Sequence, residues 1–408
     1  MTSPAGAPPA AASTERASAE LRERLASLLR VAAQPLDVVI THIEVNDRHG
    51  VGVLTRRIFA GHPDVLSIRS QDHFGGDQQF GRVQLRLAHP GPRPETYRRV
   101  LDAVAGYALA RVVCIPYYPD DAWTAVALKD THGLPLCTYL MDDQNVHADG
   151  IPDALMFELL QKSELRLAIS PDFAAAYERK YGLSFAVLPP VVDGDLILSA
   201  PSLPPASELP ARRGVVVGNV WSQRWLELLR ATVRGSGVDL DWYCNSGLRW
   251  HGVTPEDLAA DGIRVRGAVS DAVLVAALRE RAFAVIPSGT LDDGDDRSFI
   301  AQLSLPSRIP YILATSHAPM IVLGDERTGA ARFVTRSGVG VVAPYDAPGF
   351  LRAVEDVTAP AAQERMRRRA AAMAPGFRSH GVLEWIWRSL EARGPVDDRF
   401  STLVPRDP

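Results

Sequence analysis

From Pro35 onward, short unbroken apolar runs alternate with stretches whose apolar residues recur every three or four positions. Val38-Val39-Ile40 has no polar partner on either face and reads as a buried parallel strand. A loop, His49-Gly50-Val51-Gly52, follows, and Val53, Leu54, Ile58 and Phe59 then fall at helical spacing. Strand, glycine loop, helix is the opening of a nucleotide-type α/β domain. The alternation continues with strands over 65–68 and 83–87, a helix over 96–110 and a strand over 112–115. A helix over 122–131 is stopped by Gly133. The strand over 135–141 ends in Asp142-Asp143-Gln144-Asn145. A helix over 152–162 and a strand over 165–169 lead to a helix over 172–181, with Ser170 as N-cap and Gly182 as stop. A strand over 185–188 closes this half.

The Pro/Ser-rich stretch starting at Ser199 is the clearest linker, after which the same grammar restarts. Strands are predicted over 214–217, 240–244, 263–266, 283–286, 319–322 and 340–342, with helices over 225–233, 271–281, 307–314, 347–357 and 381–393. The expectation is two Rossmann-like domains facing an interdomain cleft, an α/β architecture. Its parts are a tail and short helix (1–35), a first domain (36–198), a linker (199–213), a second domain (214–376) and a C-terminal helix and tail (377–408). The Ala/Pro/Ser-rich start, 1–13, reads as disordered. Leu21, Leu25, Leu28 and Leu29 share one face of a helix over 14–33 that docks on the body; Glu20 and Glu23 weigh against its lying on a membrane.

Bulk properties narrow the function. Apolar residues at 46% and charged residues at 23% are those of a globular chain with large cores. A net charge of −4 gives no basic field, so nucleic acid is not the expected partner. The three cysteines have no metal-binding spacing and read as buried thiols of a reducing compartment. No apolar stretch reaches the roughly 18 residues of a membrane span, and the first residues lack a signal-peptide pattern. A cytoplasmic protein is expected, with peripheral contact at the inner membrane face left open.

Small polar residues recur where the second-half strands end: Gly218-Asn219, Asn245-Ser246-Gly247, Gly267 and Ser288-Gly289-Thr290. Each is able to offer backbone N–H groups to a ligand, although βα turns need glycine in any case. Arg224 and Arg308 both stand at the start of predicted helices, where free N–H groups and the helix dipole attract phosphate. In the first half, Gly50 and Gly52 would let backbone approach a diphosphate, and His49 lies beside them; satisfied loop histidines are the competing reading for His42 and His49. Asp142 and Asp143 end a strand and supply a candidate general base, against the alternative of an Asx-capped turn. The acidic run Asp292-Asp293-Gly294-Asp295-Asp296 lacks the EF-hand offsets and reads as a solvated loop, so no metal is expected.

These features resemble the GT-B-fold glycosyltransferases, especially the family 4-like bacterial enzymes. Residues 306–314, followed by Pro319-Met320-Ile321, look like the family's P-S-K-(I/L)-x-E-Y-L-A-x-G-x-P segment. Residues 170–190 resemble the segment ahead of the interdomain linker, and 329–342 its later G-x-G-x-x-V part. The resemblance implies a nucleotide diphosphate sugar as donor substrate, with no separate cofactor. Its phosphates would meet Gly218, Arg224 and Arg308, its base Gly267 and Val269, and its ribose or sugar Ser288, Gly289 and Ser307. Gly50 and Gly52 would close on the diphosphate, and the last helix, with Trp385, would cross back to the first domain. The family's paired glutamates are absent between Glu280 and Glu326; Tyr311 stands where the second is expected, and Ser316-His317-Ala318 replaces the glycine before the next proline.

The implied activity is sugar transfer to a hydroxyl of a glycan, lipid-linked glycan or small molecule, as in polysaccharide biosynthesis. Asp142 or Asp143 would be the base if the reaction inverts; a retaining reaction needs none. A sugar-nucleotide epimerase and a catalytically silent partner subunit are the alternatives on the same fold.

Overall fold

The computed structural model describes residues 35–89, 91–199, 209–244 and 252–404. The tail, the short helix over 14–33 and most of the expected linker therefore lie outside the described residues, as does Asn245. The N-terminal half runs β1 (Leu36–Thr41), α1 (Gly50–Ile58), β2 (Val65–Arg69), β3 (Val83–Arg86), α2 (Arg93–Val104), β4 (Leu109–Cys114) and α3 (Pro119–His132). It continues β5 (Leu136–Leu140), α4 (Asp153–Lys162), β6 (Leu165–Ala168), α5 (Pro171–Tyr181) and β7 (Ala186–Val187). Its seven strands are ordered β3-β2-β1-β4-β5-β6-β7, and every pairing is parallel.

The C-terminal half runs β8 (Arg213–Val217), α6 (Gln223–Ser236), β9 (Asp239–Tyr243), α7 (Pro255–Ala260), β10 (Ile263–Val265), α8 (Asp271–Arg279) and β11 (Ala284–Pro287). It then runs α9 (Ser298–Leu303), α10 (Arg308–Ser316), β12 (Met320–Leu323), α11 (Gly329–Ser337), β13 (Gly340–Ala343), α12 (Ala347–Thr358), α13 (Pro360–Met373) and α14 (Val382–Ala392). Its six parallel strands are ordered β10-β9-β8-β11-β12-β13. Within each half the order of the first six strands is the same: 3-2-1-4-5-6. The chain therefore reverses direction across the sheet beside β1 and β4, and again beside β8 and β11. In parallel sheets those are the places where a crevice opens at the carboxyl edge.

Both sheets are covered on their two faces, which is why β1, β5, β11 and β12 are buried at every position. The expected capping signals act as written: Ser170 Oγ accepts from Phe173 N, and Gly182 takes the left-handed conformation at φ 69°. Other expectations are corrected. His49-Gly50-Val51-Gly52 is not a loop; His49 is the N-cap and the glycines are the first turn of α1. The predicted helix over 96–110 ends at Val104, and Leu109 already pairs in the sheet. The acidic run over 292–296 is not simply solvated, because Asp295 is buried against Trp225.

The halves are tied together. Val192 N donates to Phe377 O (2.8 Å), Leu198 N to Ala314 O (2.9 Å), and Asp172 accepts from Arg332 Nε (2.7 Å) and Arg336 Nη1 (2.9 Å). Helix α14 returns to the first sheet, with Trp387 over the Arg111 guanidinium at 4.2 Å and beside Phe59 at 6.0 Å. Trp385 of the same helix packs on Phe400 and donates to Asp397.

Candidate functional site

The two switch points face each other, and the closest approach joins two helix N-termini. Gly50, in the first turn of α1, leaves so little room that a Cβ there would lie 3.1 Å from Ser307 Oγ, the N-cap of α10. Ser307 makes no side-chain cap bond to α10. Two positive dipole ends thus meet there, which favours an anion, but few donors are left: Gly52 N is taken by His49, Ile309 N by Pro306 O, and Pro310 has no N–H.

Arg308, the residue after Ser307, turns its side chain to the C-terminal half. Its Nη2 donates to Asn219 O (2.6 Å), and its guanidinium passes beneath Gly218, where a Cβ would come 3.4 Å from Cζ. Gly218 has φ 79°, so any other residue there would be strained. Part of Arg308 reaches the surface, yet its Nη1 is buried with no partner. Burial pulls its pKa down to about 10, a cationic group with too little anion around it.

The base candidates separate cleanly. Asp143 is buried and its carboxylate is consumed: Oδ1 accepts from Asn145 N, Val146 N and the Tyr177 hydroxyl, and Oδ2 from His147 N. It is the Asx-type turn of the competing reading. Asp142 faces the other way. Oδ2 accepts from the Tyr117 hydroxyl, and Oδ1 accepts from Ser304 Oγ of the C-terminal half at 2.7 Å. Burial raises its pKa, the hydrogen bonds from Tyr117 and Ser304 pull it down, and Asp143 pushes it up again; the net direction is upward. Asp142 remains partly exposed, so it is the carboxylate a substrate is able to reach. The ring of His42 stacks on Tyr117 at 3.9 Å, and burial together with His49 and His73 keeps it neutral.

His49 has both ring nitrogens occupied. Nε2 donates to Glu44 O (2.7 Å) and Nδ1 accepts from Gly52 N (3.3 Å). Gly52 is required by packing, since a Cβ would lie 2.4 Å from Asn46 O. Gly289 is likewise pressed against Ala301 and Asp295, at 2.5 Å and 2.8 Å from a Cβ. Ser288 is 4% exposed and joined to the Tyr345 hydroxyl through both backbone groups. Arg224 pairs with Asp292 (2.7 Å), so the structure binds it to the acidic loop rather than leaving it to a phosphate. Tyr311 is buried, donates to Asp271 (2.7 Å) and carries the Arg57 guanidinium 5.2 Å above its ring. It is an interdomain contact. Gly267 has nothing within 4 Å of a Cβ, and Val269 beside it is exposed. Sequence reasoning missed Ser304 and Tyr117 as partners of Asp142. No local pattern marks a serine that meets an aspartate 162 positions away.

Among the described residues no three His, Cys, Asp or Glu side chains group to hold a metal, and no helix is long and apolar enough to cross a membrane. The three cysteines are buried and unpaired.

No family model matches the chain, and no curated protein matches it in sequence. Solved structures do. HepE of Anabaena in complex with UDP-glucose superposes with TM-score 0.61 at 11% identity, covering 88% of this chain and 100% of that one. The lipopolysaccharide outer core galactosyltransferase WaaB gives 0.58 at 10% identity, with 88% and 99% covered. The UDP-N-acetylglucosamine 2-epimerase of Rickettsia bellii gives 0.53 at 12% identity, with 88% and 97% covered. Near-complete coverage of both chains, with two sheets of the same strand order, establishes that this chain has the GT-B fold: two Rossmann-like domains facing a cleft.

Proposed function

We propose that the protein is a glycosyltransferase that takes a nucleotide diphosphate sugar and transfers the sugar to an acceptor hydroxyl. The observation that carries this reading is the convergence of the α1 and α10 N-termini on a gap beside which Arg308 Nη1 is buried without a partner. A diphosphate would satisfy that nitrogen and the positive end of α10. The open surface at Gly267 and Val269 would take the base. Asp142 would accept the acceptor's proton while that oxygen attacks the anomeric carbon and the bond to the diphosphate breaks. This is an inverting reaction. The charge gathered on the leaving diphosphate would be held by Arg308 and the two helix termini more tightly than in the ground state.

The test is calorimetric titration with UDP and with UDP-glucose, followed by product analysis. Wild-type protein is expected to bind, and Arg308→Ala to bind more weakly by about 1.5–3 kcal/mol, the value of a charge-assisted hydrogen bond. Equal affinity would remove Arg308 from the site. Asp142→Asn is expected to retain binding and lose transfer. Conversion of UDP-N-acetylglucosamine without any acceptor would identify an epimerase instead. Absence of binding by any nucleotide sugar would leave a silent partner subunit.

A further inference from the structure

The base candidate and the diphosphate gap are held by one short piece of chain. Ser304 follows α9 in the C-terminal half and reaches across the cleft to Asp142 Oδ1 at 2.7 Å. Three and four residues later, Ser307 and Arg308 open α10 against Gly50 and Gly218. The chain between them has little freedom. Leu305 is 2% exposed, and Pro306 fixes its own φ. At its start the backbone is pressed on α11: a Cβ on Gly329 would lie 2.6 Å from Ser304 O. A packed segment of this length moves as one body.

We infer that Ser304 is a positioning residue that couples occupancy of the diphosphate gap to the aim of the Asp142 carboxylate. The inference rests on the function proposed above. Without Ser304, Asp142 keeps only the Tyr117 hydroxyl, which comes from its own half. One oxygen is then pinned and the other is not. Any motion that carries the C-terminal half away also removes Ser304, so the base is set only when the halves are together. Binding at Ser307 and Arg308 draws the segment to the N-terminal half and sets the base in the same step. Tyr117, Tyr139 and Asp143 are the titratable groups around Asp142, with His42 behind Tyr117. Ser304 is neutral, so its removal alters the hydrogen bond and no charge.

The experiment is a pH titration of the full chain carrying 13C-carboxyl aspartate, with the Asp142 resonance assigned by its loss in Asp142→Asn. Wild type and Ser304→Ala are compared with and without saturating UDP. A hydroxyl that donates to the ionised form lowers a carboxyl pKa, so its loss is expected to raise the midpoint by about half a unit or more. UDP is expected to move the wild-type midpoint downward relative to its effect on Ser304→Ala, since the diphosphate's own charge acts on Asp142 in both proteins and only the wild type gains the hydrogen bond. Equal midpoints without UDP would overturn the clasp. An equal UDP-induced shift in the two proteins would overturn the coupling. If UDP fails to bind wild type, the proposed function falls and the coupling with it, while the Ser304→Ala midpoint still decides the clasp.

Discussion

Asp241 shows what a single buried carboxylate contributes here. It lies on β9, 1% exposed, and accepts from Arg213 Nε (3.1 Å), Arg266 Nε (2.8 Å) and Arg281 Nη2 (2.9 Å). Burial alone would raise its pKa, but the hydrogen bonds from the three arginines outweigh that and hold it at about 2. Because the folded value is depressed, an unfolded chain takes up the proton first as pH falls. The stabilisation is therefore whole above about pH 4 and is lost as pH falls toward 2. Arg213 and Arg266 stand partly in water, which screens the pairs, so Asp241→Asn is expected to cost about 1–2 kcal/mol at pH 7. At pH 2.5 the cost should shrink. Urea unfolding at the two pH values checks this, and an equal cost at both would reject it. The same scale shows the reach of sequence rules. Arg308 and Arg224 were both readable as helix-start arginines, yet of the two only Arg308 keeps a buried nitrogen without a partner. Arg224 is claimed by Asp292, which a rule about helix starts does not see across 68 residues.

The acidic loop and the helix it caps form one unit at the next scale. Asp295 Oδ1 accepts from Trp225 Nε1 (2.9 Å) and Arg297 N (3.1 Å), while Oδ2 accepts from Thr290 N (2.8 Å) and Leu291 N (3.0 Å). The Ser222 hydroxyl, the N-cap of α6, donates to Asp296 (2.6 Å), so carboxylates sit at the positive end of that helix. Four donors depend on Asp295, whereas the exposed Asp292 accepts, among the described residues, only from Arg224 Nη2 and Gly294 N. Asp295→Ala is expected to cost about 2–3 kcal/mol and Asp292→Asn less than about 1 kcal/mol. Chemical unfolding of the two variants measures the contrast, and similar costs would show that the loop is no more than a solvated charge run. Elements with a clear period and a cap were legible: α5 is bounded by Ser170 and Gly182, both in the sequence. Helix α13 was not. Its buried face includes Gln363 and Arg367, whose side chains donate to the carbonyls of Ala282, Ser316 and Arg281. A hydrophobic pattern cannot show a face that is buried by polar bonding. Helix α11 escaped for a related reason, since four of its six buried positions are glycine, alanine or serine.

For the whole molecule, the question is what makes two similar halves behave as one body. Strand order and the two-domain plan were legible because each half repeats the alternation of apolar runs and helical periods. The return of the last helix was not assignable to a residue, because Trp385 and Trp387 lie two positions apart and only packing decides which faces the first sheet. Trp387 does, and it closes a chain of contacts. It covers Arg111, which donates to the buried Asp37 (2.8 Å), which in turn bonds His62 (2.8 Å). Removing the indole exposes one face of Arg111 and the edge of Phe59, with loss of a cation–π contact and of apolar burial worth about 1–3 kcal/mol together. The loss falls first on the N-terminal half, since the C-terminal half has its own sheet and a second core cluster around Trp242 and Phe350. Differential scanning calorimetry of Trp387→Ala should therefore resolve an early transition of the N-terminal half ahead of an almost unmoved second one, where wild type unfolds in one step. Trp385→Ala, which disturbs the tail packing against Phe400, should lower the midpoint without splitting it. A single unshifted transition in Trp387→Ala would show that the halves are joined by the Asp172 clasp and the backbone bonds at Val192 and Leu198 without help from α14.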